Sequence, residues 1–312
     1  VRMSEASVIP VVCIVGPTGA GKTAASLHLA AVFDGAVINC DSRQVYKDFP
    51  VITAQPTLEE QTSCPHHLYG FMGIQEKMSA GVFLDMARRI IKEEHAHGRL
   101  PLLVGGTGLY LRALLDGIAA IPDIPETVSQ KWQERCAARG APALHRLLET
   151  QDPQTAERLH PNDSQRIVRA LEVQEATGRP LSWWHAQPVP PSPYRAVKIG
   201  VSATLDGLTP RLAKRIEMML AAGALDEARN AMGICDNPRA PGWSGIGCAE
   251  LYSYIKGAVS LDECKRLWLH NTRQYAKRQL TWFRREPNLH WLDGTDMAAM
   301  ERLVHSVAGS TG

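Results

Sequence analysis

Several things are missing from this chain of 312 residues. No CxxC pair occurs, and the seven cysteines (Cys13, Cys40, Cys64, Cys136, Cys235, Cys248, Cys264) are odd in number and scattered. A disulfide framework or zinc knuckle is therefore not expected, and a reducing, cytoplasmic setting is. Long apolar runs are absent, and mean hydropathy is slightly negative at -0.17. Nothing approaches the twenty or so apolar residues that span a bilayer, so no membrane contact is expected. The run Val8 to Val15 leads into a glycine-rich loop without a small-residue cleavage site, so it reads as a buried strand and not as a signal peptide. Charge of one sign is lacking too: the net charge is only +2, which neither demands nor excludes nucleic acid. Internal repeats and low-complexity tracts are not seen.

What is present is an apolar content of 45%, enough for a substantial core. The first third alternates strand and helix. Val11 to Val15, Ala36 to Cys40 and Leu102 to Val104 read as buried strands. Lys22 to Val32 and a helix capped by Ser79, running to about His97, lie between them. This pattern predicts a parallel sheet with helices on both faces. Pro122 to His185 shows only helical signals, with starts at Asp152-Pro153 and at Asn162-Asp163 and a stop at Gly178. The proline-rich stretch 188–193 reads as a stiff linker, and Ala196 to Ser202 as a returning strand. Thr209-Pro210 is expected to open a helix closed by Gly223. Ser260 and Glu263 form a capping-box pattern before a long helix to about Arg284, and His290 to Leu292 reads as an edge strand. The expected organisation is a P-loop NTPase-like α/β core over 1–118 and 195–312, with a helical insertion over 119–194.

Gly16-Pro17-Thr18-Gly19-Ala20-Gly21-Lys22-Thr23 matches G-x-x-x-x-G-K-[ST] between a strand and a helix. Its glycines let backbone N–H groups converge on phosphate oxygens, and the helix aims its positive end at the same anion. Lys22 adds a charge, and the Thr23 hydroxyl can ligate Mg²⁺. Read alone, the loop says nucleotide, as in a small-metabolite kinase. Yet the third strand ends in Gly105-Gly106-Thr107-Gly108, not in a metal-holding Asp. Asp41 follows the second strand, where ligands of open α/β sheets sit. It reads as a general base or as a turn residue, and spacing alone does not choose. His66-His67 read as part of the loop after Asp41, since adjacent histidines cannot share a ligating face. Arg266, Arg273, Lys277 and Arg284 recur along one face of the last long helix, which is a phosphate-tracking stripe or a solvated face.

The chain resembles the tRNA dimethylallyltransferases (tRNA isopentenyltransferases). The resemblance rests on GPTGAGKT at 16–23, DSRQVY at 41–46, TAQP at 53–56, PHHL at 65–68 and PLLVGGTGLYL at 101–111. HPNDSQRIVRALEV at 160–173, RLAKRIEMML at 211–220 and TRQYAKRQLTWFR at 272–284 carry it to nearly the whole chain. It implies transfer of a dimethylallyl group from dimethylallyl diphosphate to N6 of the adenine 3′ to the anticodon, with Mg²⁺ and no obligate protein partner. It implies that residues 16–23 hold the diphosphate, with Thr18, Lys22 and Thr23 foremost, helped by Arg211 and Arg215. Asp41 would take the proton. Asp41, Ser42, Arg43, Gln44 and Thr107 would hold the flipped base and nearby backbone. Gln165, Arg166, Ile167, Val168 and Arg169, with Arg273, Lys277 and Arg278, would contact the anticodon stem-loop. For Arg169 the competing reading is a salt bridge with Glu172 or Glu175. The chain departs from the family pattern at Ile52 and Gln55, at Cys248 where tyrosine is usual, and at Ser129. An RNA contact is expected to be missing at Cys248.

Overall fold

A computed structural model of the chain describes residues 8–308. The chain divides into two compact units, Val1–Leu115 with Ser192–Gly312, and Asp116–Pro191. No helix among the described residues is long and apolar enough to cross a membrane.

The first unit is built on six parallel strands: β1 (Ile9–Val15), β2 (Gly35–Asn39), β3 (His66–His67), β4 (Leu100–Gly105), β5 (Tyr194–Ser202) and β6 (Leu289–Asp293). Their order is β3-β2-β4-β1-β5-β6. β1 is central, with Val12 beside Leu102 of β4 and Val197 of β5. The strands read as unbroken apolar runs because both faces are covered. On one face Val12, Ile14, Leu102, Val104 and Ile199 pack with Leu29 of α1 (Lys22–Phe33) and with Met300 and Val304 of the C-terminal helix Met297–Ala308. The alternate residues Cys13, Ile38 and Leu103 are also excluded from water. Burial pushes the Cys13 thiol up to about 12, as befits a small core hydrophobe.

The remaining helices in chain order are α2 (Leu58–Ser63), α3 (Ala80–Ala96), α4 (Gly108–Leu115), α5 (Glu126–Arg139), α6 (Ala141–Gln151), α7 (Pro153–Arg158), α8 (Ser164–Thr177) and α9 (Leu181–His185). After β5 come α10 (Leu205–Ala221), α11 (Ala224–Ile234), α12 (Cys248–Ile255), α13 (Leu261–Phe283) and the C-terminal α14. α10 to α13 close over residues 45–52 around Trp243, Phe49 and Trp268.

Three local expectations are corrected. α10 begins at Leu205, because the Thr204 side chain accepts the Gly207 N–H, and Pro210 lies inside the helix. Ser260 does accept the Glu263 N–H, but the Glu263 carboxylate turns to Arg266 and leaves the capping box half made. His66-His67 are not loop: they add a two-residue edge strand to β2, with Val37 beside His66.

The second unit contains α5 to α9, and its described residues include no strand. Trp132, Leu144, Leu148, Ile167, Val168 and Leu171 form its core. Asp152 caps α7 and accepts from Thr155 N, Thr155 Oγ1 and Ser182 N at 3.2, 2.6 and 2.9 Å. Burial alone would raise its pKa, but these hydrogen bonds hold it below the usual carboxylate value.

Candidate active site

The glycine-rich loop leaves the end of β1 and enters α1 through Gly21, which adopts a left-handed conformation at φ 102°. Lys22 is the first residue of α1. Its Nζ donates to the carbonyls of Gly16 and Pro17 at 3.0 and 2.9 Å, so the ammonium lies along the loop. Removal from water pulls its pKa down to about 8; the Asp41 charge opposes that shift and the Arg215 charge adds to it. Thr23 is exposed at the second position of α1, and its hydroxyl has no hydrogen-bond partner among the described residues.

Asp41 follows β2, which is not a neighbour of β1. β4 lies between them, so Asp41 starts about 10 Å from the loop's own strand. Residues 105–108 fill the gap. A Cβ on Gly105 would collide with the Cys40 carbonyl, and one on Gly106 with the Gln279 side chain, so backbone must pass close on both sides. The Thr107 hydroxyl accepts the Ser42 N–H at 3.0 Å. Asn39, buried at the end of β2, accepts the Asp41 N–H at 2.8 Å and donates to the Leu68 carbonyl. Asp41 is thus held from both sides, and its turn reading is realised. Its Oδ1 accepts the Arg43 N–H at 2.8 Å, which is a turn function. Its Oδ2 has no hydrogen-bond partner among the described residues and is left to accept a proton.

Thr18, Asp41 and Arg215 line one cavity of about 190 Å³. α10 contributes Leu212, Arg215, Ile216 and Met219. α13 contributes Trp268, Thr272, Tyr275 and Arg278. Burial lowers the Arg215 pKa, with Asp41 acting the other way, and no hydrogen bond or salt bridge with a described residue engages this guanidinium. Burial raises the Tyr275 phenol, and the Asp41 charge adds to this. The arrangement pairs a carboxylate with two poorly hydrated cations, the setting in which a compact anion is bound strongly.

The other expected site residues divide. Arg43 reaches Ser244 Oγ at 2.6 Å. Gln44 lines the cavity but spends its amide hydrogens on the Thr53 and Ala54 carbonyls at 3.1 and 2.6 Å. Arg211 is exposed and acts electrostatically on Asp293 at the end of β6, outside the cavity lining. Arg278 lies over the Tyr275 ring at 5.6 Å, while Arg273 and Lys277 stand exposed on α13. Arg266, expected in the same stripe, is tied to Glu263 at 2.6 Å. In the second unit, Gln165, Arg166 and Arg169 face solvent on α8, but Ile167 and Val168 are 0% and 8% exposed. Their side chains are core, which corrects the expectation that they contact RNA. Arg166 pairs with Asp163 at 2.7 Å and Arg169 with Glu172 at 3.6 Å; Glu175 pairs with Lys131 instead.

The departures have local explanations. Gln55 donates to the Tyr46 carbonyl at 2.8 Å and so braces the segment that carries Gln44. Ile52 is buried, and its N–H is held by Glu227 at 2.9 Å. Cys248 is fully buried at the start of α12, so its side chain faces the core. Nothing in the structure explains Ser129. Sequence reading missed Trp268, Thr272, Tyr275 and Gln279. Their 4-3-4 spacing was the available signal, because it places all four on one face of α13.

A family model described as IPP transferase matches residues 44–286. The chain is 99% identical over 304 residues to the tRNA dimethylallyltransferase of Oleidesulfovibrio alaskensis, covering 97% of this chain and 100% of that one. It is 62% identical over 287 residues to the tRNA dimethylallyltransferase of Nitratidesulfovibrio vulgaris strain DP4, covering 92% and 93%. Among solved structures, a full-length tRNA isopentenylpyrophosphate transferase from Bacillus halodurans aligns with a TM-score of 0.71 at 36% identity, covering 96% of this chain and 97% of that one. A eukaryotic dimethylallyltransferase acting on tRNA aligns with a TM-score of 0.81 at 29% identity, covering 95% and 78%.

Proposed function

The chain belongs to the IPP transferase family, and we propose that it moves a dimethylallyl group from dimethylallyl diphosphate to N6 of the adenine 3′-adjacent to the anticodon in tRNA. The observation that carries this reading is the single cavity lined by Thr18, Asp41 and Arg215. A phosphate-binding loop, a proton acceptor and a cation meet there, with apolar walls from Ile216, Met219 and Trp268.

The chemistry follows from these groups. The adenine N6 attacks the allylic carbon, a C–N bond forms, and the C–O bond to diphosphate breaks. The bonding pair leaves on the diphosphate oxygen. Backbone N–H groups of the loop, Lys22 and Arg215 stabilise that charge, and in a site poor in water they do so strongly. The N6 proton passes to Asp41 Oδ2, the carboxylate oxygen left without a partner.

Mg²⁺ fits the donor set only in part. Among the described residues no cluster of three His, Cys, Asp or Glu side chains forms a metal cage. The Thr23 hydroxyl would be the protein's own ligand, with the remaining positions left to substrate and water, as suits a hard cation that retains water. When bound, Mg²⁺ would neutralise part of the leaving group's charge.

The test is incubation of the protein with dimethylallyl diphosphate, Mg²⁺ and unmodified tRNA, followed by nucleoside mass analysis. N6-dimethylallyladenosine is expected. Its absence from every tRNA with adenine after the anticodon overturns the reading.

A further inference from the structure

We infer that Gln279 is a positioning residue for the diphosphate loop, linking α13 to the ends of β1 and β4; this rests on the transferase reading above. Its carboxamide is only 4% exposed. Oε1 accepts the Thr18 N–H at 2.9 Å, and Nε2 donates to the Gly106 carbonyl at 3.1 Å. A buried carboxamide with neither bond would cost stability, so the geometry is over-determined.

The consequence concerns Thr18. Its N–H belongs to the glycine-rich loop, where amide hydrogens are expected to face phosphate. Here that N–H is taken by Gln279, so the anion is left to the other loop amides. Fixing this peptide plane also fixes the Thr18 side chain in the lining shared with Asp41. On its other side, Gln279 fixes Gly106, next to Thr107, whose hydroxyl holds the Ser42 N–H beside Asp41. One side chain thereby sets the diphosphate loop against the segment that carries the base.

Only glutamine does both. Glutamate cannot donate to the Gly106 carbonyl, and asparagine is one methylene short. Gly106 is matched to it, since a Cβ there would collide with Nε2. Gln279 shares a face of α13 with the cavity residues Trp268, Thr272 and Tyr275, while Arg273 and Lys277 stand on the exposed part of the same helix. The helix that offers charge to solvent also holds the loop that takes the diphosphate.

Gln279→Met keeps the side-chain volume and removes both hydrogen bonds. Titration of the full chain with inorganic diphosphate and Mg²⁺ should then show binding about tenfold weaker, because the loop must be ordered at the expense of binding. The KM for dimethylallyl diphosphate should rise by a similar factor. Affinity for an anticodon stem-loop should stay within about twofold, since every cation on the RNA-facing side of α13 is kept. Gly106→Ala should reproduce the diphosphate defect. In a Gln279→Ala background it should add less than about twofold, because its collision partner is gone. Diphosphate binding within twofold of wild type in Gln279→Met overturns the inference. So does an equal loss of diphosphate and RNA binding, or a Gly106→Ala penalty unchanged by truncating Gln279. A wild-type protein that binds diphosphate but makes no product would instead sink the transferase reading.

Discussion

Lys22 and Arg215 differ from Arg273 and Lys277 in what water does to them. The first two are partly buried, and that desolvation depresses both of their pKa values. The second two stand exposed on α13. A buried cation acts over a short range in a low dielectric and suits one compact anion. An exposed cation is screened within about 10 Å at moderate salt and suits a phosphate chain that passes by. Under the proposed reading the first pair serves the leaving group and the second the polymer, so each should be disabled without the other.

Asp41→Ala should give the largest effect. Removing the proton acceptor should lower turnover by about 10²–10⁴-fold, the usual contribution of general-base catalysis. Affinity for tRNA should change little, because no cation is removed. Single-turnover rates and filter binding on the same protein check both halves. A variant that turns over normally would remove Asp41 from the mechanism.

Lys22 comes next, and pH separates it from the exposed cations. Its pKa of about 8 means that it loses its charge as pH rises through 8. Diphosphate binding should therefore weaken from pH 7 to 9, and binding at pH 9 should take up a proton. Lys22→Arg should flatten that profile, since arginine stays charged throughout. Affinity for RNA should be indifferent over the same range. The unliganded fold carries the opposite linkage. Lys22 has a depressed native pKa, so its contribution to stability is complete above its ordinary value of 10.5 and is lost as pH falls towards 8.

Much of this contrast was legible in the sequence. The strands and the glycine-rich loop announced themselves because an apolar run between caps has few other fates. The distance of Asp41 from the loop was not legible, since the placement of β4 between β1 and β2 is a tertiary fact that no periodicity encodes. Pro210 misled because its preference for a helix's first turn gave way to the Thr204 cap. Ile167 and Val168 travelled with their motif, although helical spacing alone sets them about 100° or more around the helix from the arginines beside them. Gln279 was hidden in a basic segment, and only its partners Thr18 and Gly106 give it meaning.

The smallest effects separate the exposed arginines of α13 from those of α8. Arg273→Ala or Lys277→Ala should weaken stem-loop binding several-fold and lower the salt slope by about 1 for each phosphate left without its cation. On α8 the guanidiniums are already engaged: Arg166 with Asp163, and Arg169 with Glu172. An exposed ion pair is worth about 0–1 kcal/mol, so RNA must first displace it and gains correspondingly less. Arg166→Ala should therefore cost less than Arg273→Ala, within about threefold of wild type. Asp163→Asn sharpens the point. Asparagine still caps α8 in place of the carboxylate that now accepts the Arg166 N–H at 3.2 Å, but it releases the guanidinium. Stem-loop affinity should then rise by about twofold at low salt and converge on wild type at high salt. An affinity that falls would mean that the paired geometry itself, and not the free charge, is what the RNA recognises.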